Sequence, residues 1–288
     1  MLPYVKLIRL KQWVKNFFIF IPIFFGQNLL DFSIYPRLIA GFIAFGLIAS
    51  SIYILNDYHD REDDRNHPEK RTRPLASGQA KVNVALLLMV LLFLAGITLA
   101  YLLSSSFAIL ALIYVTINVS YSLGLKNVSI LDIFMVSSGF MIRVYSGGIL
   151  GDIPLSHWLV IMVMLLALFL SLAKRRDDLV IKEDEKIIRK ASQHYNLEFI
   201  NSCLSFFAGV IIVAYIMYTV SPEVEERLGT SWLFLTTIFV IAGIMRYLQI
   251  TFIEEKSGSP TEVLLRDRFL LITILAWITS FTVIIYMR

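Results

Sequence analysis

Composition indicates that this chain lies in a membrane. Of its 288 residues, 57% are hydrophobic and the mean hydropathy is +0.72, whereas soluble domains contain about 45–50% apolar residues. The apolar residues fall in long blocks separated by short charged stretches, which is the pattern of a membrane protein that crosses the bilayer repeatedly. The net charge is +4, and the single cysteine, Cys203, excludes an intrachain disulfide.

Nine apolar blocks are long enough to cross a bilayer, which takes about 20 mostly apolar residues per helix. In chain order they are residues 14–30, 37–56, 82–104, 106–123, 128–149, 156–173, 197–220, 230–252 and 268–287. The sequence therefore predicts an all-α polytopic membrane protein with nine transmembrane helices, in one domain over residues 1–288.

Lysine and arginine are distributed unequally between the two sides of these nine spans. Twenty-one lie in the N-terminal segment and in the loops after spans two, four, six and eight, against 3 on the other side. Because positively charged segments stay on the cytoplasmic side, we expect the N-terminus and these loops to be cytoplasmic. This rule accounts for the basic residues but not for the acidic residues beside them.

The second span runs directly into an acidic segment. If the helix continues, Asn56, Asp60 and Asp64 are four residues apart on one face, and Asp57 lies about one turn below Asp60. Stacked carboxylates repel each other unless a cation lies between them. Oxygen ligands without cysteine or histidine favour Mg²⁺, so we predict a magnesium site here. The alternative is a solvated charged loop.

Basic residues follow the acidic segment within ten positions. Lys70, Arg71 and Arg73 are candidates for binding phosphate, Arg as a planar fork and Lys as a point charge. They are also compatible with topology signals or with anchors for lipid headgroups. We favour phosphate binding for Arg73, which directly precedes Pro74, and leave both roles open for Lys70 and Arg71.

A second polar cluster lies between spans four and five. It contains Tyr121, Lys126 and Asp132, and Arg143 follows 11 residues later on about the same face of the helix. An acid inside an apolar segment is costly and is a functional candidate by default, although Lys126 is also a natural salt-bridge partner for Asp132. A buried Arg143 needs a partner or a ligand anion.

Two further basic segments complete the candidate site. Near the N-terminus, the candidates for binding substrate are Gln12, Lys15 and Asn16. At the end of span six they are Lys174, Arg175 and Arg176, although cations there also complement the helix dipole and mark the cytoplasmic side.

The acidic segment resembles the first Asp-rich motif of the UbiA superfamily, and Tyr121, Lys126 and Asp132 resemble its second motif. The usual second motif carries two aspartates four residues apart, whereas Val136 stands four residues after Asp132 here. Several shorter runs resemble one branch, the decaprenyl-phosphate phosphoribosyltransferases. They are residues 12–16 (QWVKN), 67–78, 174–176, 260–262 and 266–268.

The resemblance implies nine helices around a central cavity, Mg²⁺ as cofactor, and a bacterial plasma membrane location. It implies phosphoribosyl pyrophosphate as donor and a polyprenyl phosphate as acceptor. It also implies that Asp60, Lys126 and Asp132 take part in catalysis. An aromatic prenyltransferase with a prenyl diphosphate donor is the alternative within the family. A transporter of an anionic lipid or metabolite is the alternative of another class. We expect no nucleic-acid partner, and the sequence is compatible with a homo-oligomer.

Overall fold

The computed structural model is helical, and it contains no strand among the residues it describes. These residues are 2–66, 70–180, 195–255, 263 and 266–286. Residues 67–69 and 260–262, which contribute to the runs quoted above, lie outside them. The chain divides into two compact units, Met1–Leu155 and Ser156–Arg288. The expectation that residues 1–288 form one domain stays a prediction.

The first unit contains the helices that carry the acidic segment and the second polar cluster. Its α-helices are α1 (Leu2–Ile8), α2 (Ile21–Phe25), α3 (Tyr35–His59), α4 (Arg61–Arg65), α5 (Val82–Leu103), α6 (Ser105–Ser122) and α7 (Leu131–Gly151). Its 3₁₀ helices are Leu10–Phe20, Lys70–Thr72 and Leu125–Asn127.

The second unit contains the remaining described helices. They are α8 (His157–Val180), α9 (Leu197–Thr219), α10 (Pro222–Leu228), the 3₁₀ helix Trp232–Thr236, α11 (Thr237–Phe252) and α12 (Arg268–Tyr286).

Eight helices in the described residues are long and apolar enough to cross a membrane. They correspond to the second to ninth predicted spans, so the prediction of an all-α membrane protein is confirmed. The first predicted span, residues 14–30, differs because it consists of part of the 3₁₀ helix Leu10–Phe20 and the five-residue α2. Along α5, Leu87, Leu91 and Leu94 are more than half exposed on one face, as expected for a surface that contacts lipid rather than water.

The burial pattern of the 3₁₀ helix Leu10–Phe20 repeats every three residues. Asn16 and Ile19 are buried, whereas Lys11, Val14 and Phe17 are exposed. A 3₁₀ helix has three residues per turn, so residues three apart share a face. Gln12 and Lys15, three residues apart and both half-buried, therefore share a face, and Lys11 lies on the exposed face.

The start of this 3₁₀ helix is fastened to α3. The indole Nε1 of Trp13 donates to Ser50 Oγ at 3.0 Å, and the same hydroxyl donates to the carbonyl oxygen of Ile8 at 2.8 Å. The Trp13 ring lies against Gly46, where an added Cβ would come within 2.7 Å of ring atoms. The N-terminal segment is therefore held close to the helix that ends in the acidic segment.

Replacing Asp267 with alanine is expected to lower the thermal stability of the protein. Asp267 Oδ1 accepts from the N–H of Leu270 at 2.9 Å at the start of α12, and its Oδ2 accepts from Arg246 Nη2 at 2.6 Å. The hydrogen bond from Arg246 holds the pKa of Asp267 below its ordinary value, so the cap is ionised at neutral pH. Loss of such a cap costs about 1 kcal/mol.

Thermal unfolding in detergent, followed by circular dichroism, measures this change. Asp267→Asn is the matched variant, because asparagine caps helices as well as aspartate does. It should retain most of the stability that alanine loses, and equal losses in the two variants would contradict the capping role.

Candidate active site

The acidic segment lies where α3 ends. The last helical residue is His59, and Asp60 is the cap, with φ −86° and ψ 2°, before the short helix α4. The expectation of one unbroken helix is therefore wrong at Asp60. The four-residue hydrogen-bond spacing nevertheless continues, because the N–H of Asp60 donates to Asn56 O at 2.9 Å and that of Asp64 to Asp60 O at 2.8 Å.

Asn56 and Asp60 form one pair of side chains. Asn56 Nδ2 donates to Asp60 Oδ2 at 3.1 Å, and Asn56 Oδ1 accepts from Ser122 Oγ at 3.3 Å. Lys126 Nζ forms a salt bridge with Asp60 Oδ1. The end of α6 and the loop after it thus meet the end of α3, as the resemblance of the two motifs to one site implies.

The environment of Asp60 keeps its carboxyl group ionised. Burial raises the pKa of Asp60, but the hydrogen bond and charge of Lys126, with a smaller effect from His59, outweigh it and hold the pKa below its ordinary value. His59 Nδ1 lies 3.4 Å from Asp60 Oδ1. At neutral pH the Asn56/Asp60 pair therefore presents a negative charge and an amide oxygen.

Asp57 and Asp64 form a second pair, joined by one arginine. Arg73 Nη1 lies 3.1 Å from Asp57 Oδ1 and 2.6 Å from Asp64 Oδ2. Arg9 Nη2 also forms a salt bridge with Asp57 Oδ1. Both aspartates are buried, with 2% and 4% of their surface exposed. Spacing alone grouped Asp64 with Asn56 and Asp60, whereas in the structure Asp64 forms an ion pair with Arg73, which also contacts Asp57.

The chemistry of these donors suits a hard divalent cation. Three carboxylates and one amide oxygen are the ligands that Mg²⁺ prefers, and the two pairs bring no thiolate to the site. In the residues that the structure describes, no three Asp, Glu, His or Cys side chains converge as the ligands of one metal ion. Side-chain cations instead contact the carboxylates, so the positions that face the aspartates are already positively charged.

A third polar group surrounds Arg143, deep within α7. Its Nε donates to Asn16 Oδ1 at 2.9 Å, its Nη1 donates to Gly139 O at 2.8 Å, and its guanidinium lies 4.5 Å from the Phe45 ring centroid. Arg143 is 3% exposed, and none of its contacts within the described residues is with a carboxylate. The partner that its burial requires is therefore neutral.

This third group has two features that a bound anion would satisfy. Asn16 is 1% exposed, and its Nδ2 has no hydrogen-bond partner in the described part of the chain. Lys15 lies within electrostatic range of both Arg143 and Arg9. Arg9 is paired with Asp57, but Lys15 and Arg143 repel each other in a largely apolar environment, where a ligand of opposite charge would stabilise them.

The remaining candidates of the first unit lie at the ends of its elements. Asp132 is fully buried in the first turn of α7, where a negative charge complements the helix dipole. Tyr121 lies in the last turn of α6, beside Ser122. Lys70 begins the 3₁₀ turn Lys70–Thr72, and its carbonyl accepts from the N–H of Arg73 at 2.9 Å. Gln12 is half-buried on the 3₁₀ helix.

The candidates at the end of span six lie in the second unit. The helix α8 continues past the predicted end at residue 173 to Val180, so Lys174, Arg175 and Arg176 are helical. Arg176 Nε donates to Asn201 Oδ1 at 2.9 Å. Lys174 is exposed, whereas Arg175 and Arg176 are buried.

The structure adds three residues that sequence reasoning did not select for the site. Ser122 binds Asn56, and Tyr114 OH accepts from Arg143 Nη2 at 3.4 Å. Arg9 contacts Asp57, but near the N-terminus it was indistinguishable from a topology signal. The position of Ser122 directly after Tyr121 was the one local signal for its role.

The family and its relatives agree with this arrangement. The sequence model of the UbiA prenyltransferase family matches residues 18–192. The chain is 33% identical to the decaprenyl-phosphate phosphoribosyltransferase of Mycolicibacterium smegmatis, over 98% of this chain and 92% of that protein. It is 30% identical to the decaprenyl-phosphate phosphoribosyltransferase of Mycobacterium tuberculosis, over 96% of this chain and 92% of that protein.

Solved structures share the fold. A UbiA homologue from Archaeoglobus fulgidus, bound to GPP and Mg²⁺, superimposes with a TM-score of 0.72 at 17% identity, covering 98% of this chain and 99% of that one. The apo UbiA homologue from Aeropyrum pernix gives a TM-score of 0.66 at 13% identity, covering 95% of this chain and 97% of that one. The family match, the full-length relatives and the shared fold agree, and the chain belongs to the UbiA prenyltransferase family.

Proposed function

We propose that this protein transfers 5-phosphoribose from phosphoribosyl pyrophosphate to a polyprenyl phosphate such as decaprenyl phosphate, and releases pyrophosphate. The observation that carries the proposal is the number of cations in the first unit. Arg9, Arg73 and Lys126 face the aspartates, and Lys15 and Arg143 form a further basic group. The donor brings a diphosphate and a 5-phosphate and the acceptor another phosphate, whereas a prenyl diphosphate brings one diphosphate.

The metal proposal rests on the two acidic pairs. Asn56, Asp57, Asp60 and Asp64 would hold Mg²⁺, which when bound would neutralise the diphosphate leaving group. The Archaeoglobus homologue solved with Mg²⁺ supports the use of a divalent cation in this fold. Asp60 is the most accessible of the three aspartates, with a side chain 19% exposed against 3% and 5% for Asp57 and Asp64.

Positioning and charge stabilisation provide the catalysis. Lys126 and Arg73 would bind the departing diphosphate, and Asp132, in the first turn of α7, is the third residue that we assign to catalysis. The acceptor phosphate is already an anion at neutral pH, so its attack on ribose C1 needs no strong general base. The chain must instead hold donor and acceptor in line and stabilise the charge that develops.

The other candidates are assigned to substrate binding. Lys15, Asn16 and Arg143 form the basic group that would take a further phosphate, with Gln12 beside Lys15 on the same face of the 3₁₀ helix. The remaining proposed substrate-binding residues are Lys70, Tyr121, Lys174, Arg175 and Arg176. The apolar surfaces of the spanning helices would accommodate the lipid chain.

We place the protein in a bacterial plasma membrane, with these residues on the cytoplasmic side. The multiple apolar helices support an integral membrane protein. The charge distribution of the loops supports the orientation, and the bacterial origin of the named relatives supports the compartment.

An aromatic prenyltransferase is the second candidate, because the Archaeoglobus homologue is bound to the prenyl diphosphate GPP. In a transporter, we would expect helices that are broken near the middle of the membrane. Here the acidic pairs lie at the end of α3, and that helix is continuous from Tyr35 to His59, which does not favour transport.

Pyrophosphate release by the purified protein tests the proposal. One reaction contains Mg²⁺, phosphoribosyl pyrophosphate and decaprenyl phosphate, and the other contains Mg²⁺, geranyl diphosphate and an aromatic acid. We expect release only in the first, and only when the lipid acceptor is present. Release only in the second would overturn the phosphoribosyl assignment in favour of prenyl transfer.

A further inference from the structure

Arg9 is fixed beside the acidic segment by its main chain. It joins α1 to the 3₁₀ helix Leu10–Phe20 in the left-handed conformation, with φ 53° and ψ 50°, which is uncommon for any residue but glycine and often marks a functional position. Its N–H donates to Lys6 O at 3.2 Å, and its carbonyl accepts from the N–H of Gln12 at 2.7 Å. The guanidinium contacts Asp57 and lies 5.2 Å from the Tyr53 ring centroid.

Within the part of the chain that the structure describes, the ion pairs of the two acidic pairs join equal numbers of cations and carboxylates. Arg9 and Arg73 contact Asp57, Arg73 contacts Asp64, and Lys126 contacts Asp60. Three positive charges therefore face three negative charges. A divalent cation that arrives alone meets carboxylates already compensated and cations that repel it. A diphosphate that arrives alone meets cations already engaged by carboxylates.

We infer that Arg9 is a diphosphate-binding residue that exchanges partners when a metal–diphosphate binds. Its guanidinium leaves Asp57 for a diphosphate oxygen, and the Asp57 carboxylate, which keeps its contact with Arg73, becomes available to the metal. The Arg9 side chain is 25% exposed, whereas that of Asp57 is 3% exposed, so the arginine has room to move while the aspartate stays in place. No charge is left buried and unpaired in the exchange, which would otherwise be strongly unfavourable.

The exchange makes the two ligands cooperative. Each ligand releases groups that the other uses, so the metal strengthens diphosphate binding and, by thermodynamic linkage, diphosphate strengthens metal binding by the same factor. The inference assumes the metal–diphosphate ligand of the proposed function, but it does not depend on the donor being phosphoribosyl pyrophosphate.

Removing Arg9 should affect the two ligands in opposite directions. Without the guanidinium, less of the negative charge of Asp57 is neutralised and the site repels a cation less. Mg²⁺ alone should therefore bind more tightly. Diphosphate loses a partner, so its cooperation with Mg²⁺ falls. A residue that merely supported the fold would weaken both.

Isothermal titration of the full-length protein in detergent measures these effects, with MgCl₂ alone, with inorganic diphosphate alone, and with MgCl₂ at saturating inorganic diphosphate. In the wild type we expect diphosphate to strengthen Mg²⁺ binding by about 10- to 100-fold. The test variant is Arg9→Asn, because asparagine tolerates the left-handed conformation. In it, Mg²⁺ alone should bind about fivefold more tightly, the factor for one unit charge acting on a divalent cation through water at about 8 Å. The coupling should fall below about threefold.

Two further variants keep the result interpretable. Arg9→Lys retains the charge and should retain most of the coupling, so its complete loss in a protein with wild-type melting temperature would overturn the inference. Arg37→Gln removes an exposed arginine near the start of α3 and should change neither constant. Weakening of Mg²⁺ alone and of the coupling together in Arg9→Asn, or no change in either, would also overturn it.

Because the ligand in the titrations is inorganic diphosphate, failure of this inference can be distinguished from failure of the proposed function. If diphosphate and Mg²⁺ bind cooperatively through Arg9 but phosphoribosyl pyrophosphate is not turned over, the donor assignment fails and the exchange stands. If turnover occurs and the coupling is unaffected by Arg9→Asn, the exchange fails and the donor assignment stands.

Discussion

Replacement of Asp60 by asparagine is expected to reduce turnover by about 10²–10³-fold or more while the helices remain folded. Asp60 faces Asn56 Nδ2 and Lys126 Nζ at the point where α3 gives way to α4. We assign it to the metal, and an amide at this position supplies no negative charge to hold a divalent cation against the neighbouring cations. The leaving diphosphate would then depart without its neutralising partner.

The fold should tolerate this change. The side chains of Asp60 and Lys126 are 19% and 23% exposed, and partly exposed ion pairs contribute roughly 0–1 kcal/mol. Asparagine retains an oxygen that can accept from Lys126. A wild-type melting temperature together with lost pyrophosphate release therefore separates a chemical role from a structural one.

Asp63→Asn is the matched control for this experiment. Asp63 lies in α4, three residues from Asp60, and its side chain is exposed. The substitution removes the same charge from the same segment, and turnover should stay within about twofold of the wild type because screening weakens the effect of an exposed charge. Full turnover in a folded Asp60→Asn protein would refute the metal assignment. An equal loss of turnover in Asp63→Asn would mean that the change in net charge, and not the position of Asp60, causes the effect.

Hydropathy was sufficient to predict most of the fold. Eight of the nine predicted spans correspond to spanning helices, because burial in lipid imposes a length and an apolar composition that are visible in any window of the sequence. The exception is instructive. From residue 17 to residue 25 the run is apolar on all sides, which hides whether the repeat is 3.0 or 3.6. Pro22, in the first turn of α2, was the local signal against one spanning α-helix, because a proline inside a helix removes a hydrogen bond.

Most of the candidate site residues could be selected from the sequence, but the residues that they contact could not. Acidic residues at a membrane boundary and a buried Arg143 are conspicuous because they are costly there. Their partners come from elsewhere in the chain. Asn16 is 127 residues from Arg143, and Lys126 is 66 residues from Asp60. Arg9 was not selected, because the rule that positive charges stay on the cytoplasmic side already accounts for an arginine near the N-terminus.

Replacement of Gly147 by alanine is expected to be the most damaging single methyl addition in the first unit. Gly147 lies on α7 where it crosses the 3₁₀ helix, and a Cβ there would overlap the main-chain carbonyl oxygen of Ile19, with the carbonyl carbon at 2.9 Å and Pro22 Cδ at 3.1 Å. Real Cβ atoms do not approach main-chain atoms so closely, and a main-chain carbonyl cannot rotate away as a side chain can.

The structure can relieve this overlap only by moving the 3₁₀ helix away from α7. Overpacking of this kind costs typically about 1–3 kcal/mol, and we expect the upper end of that range because main chain meets main chain. The same movement would separate Asn16 from Arg143, whose hydrogen bond of 2.9 Å joins these two elements. Activity should therefore suffer as well as stability, with KM for the substrates rising more than kcat falls if Asn16 and Arg143 bind substrate.

Thermal unfolding and steady-state kinetics on Gly147→Ala measure both effects, and Gly209→Ala is the control. Gly209 lies in α9 with no atom within 4 Å of an added Cβ, and alanine is favoured over glycine inside a helix by roughly 0.5–1 kcal/mol. The control should thus leave the melting temperature unchanged or raise it, opposite in sign to Gly147→Ala. If both substitutions are neutral, the close contact between α7 and the 3₁₀ helix does not govern stability, and the position of the 3₁₀ helix must depend on the contacts of Trp13 with α3 instead.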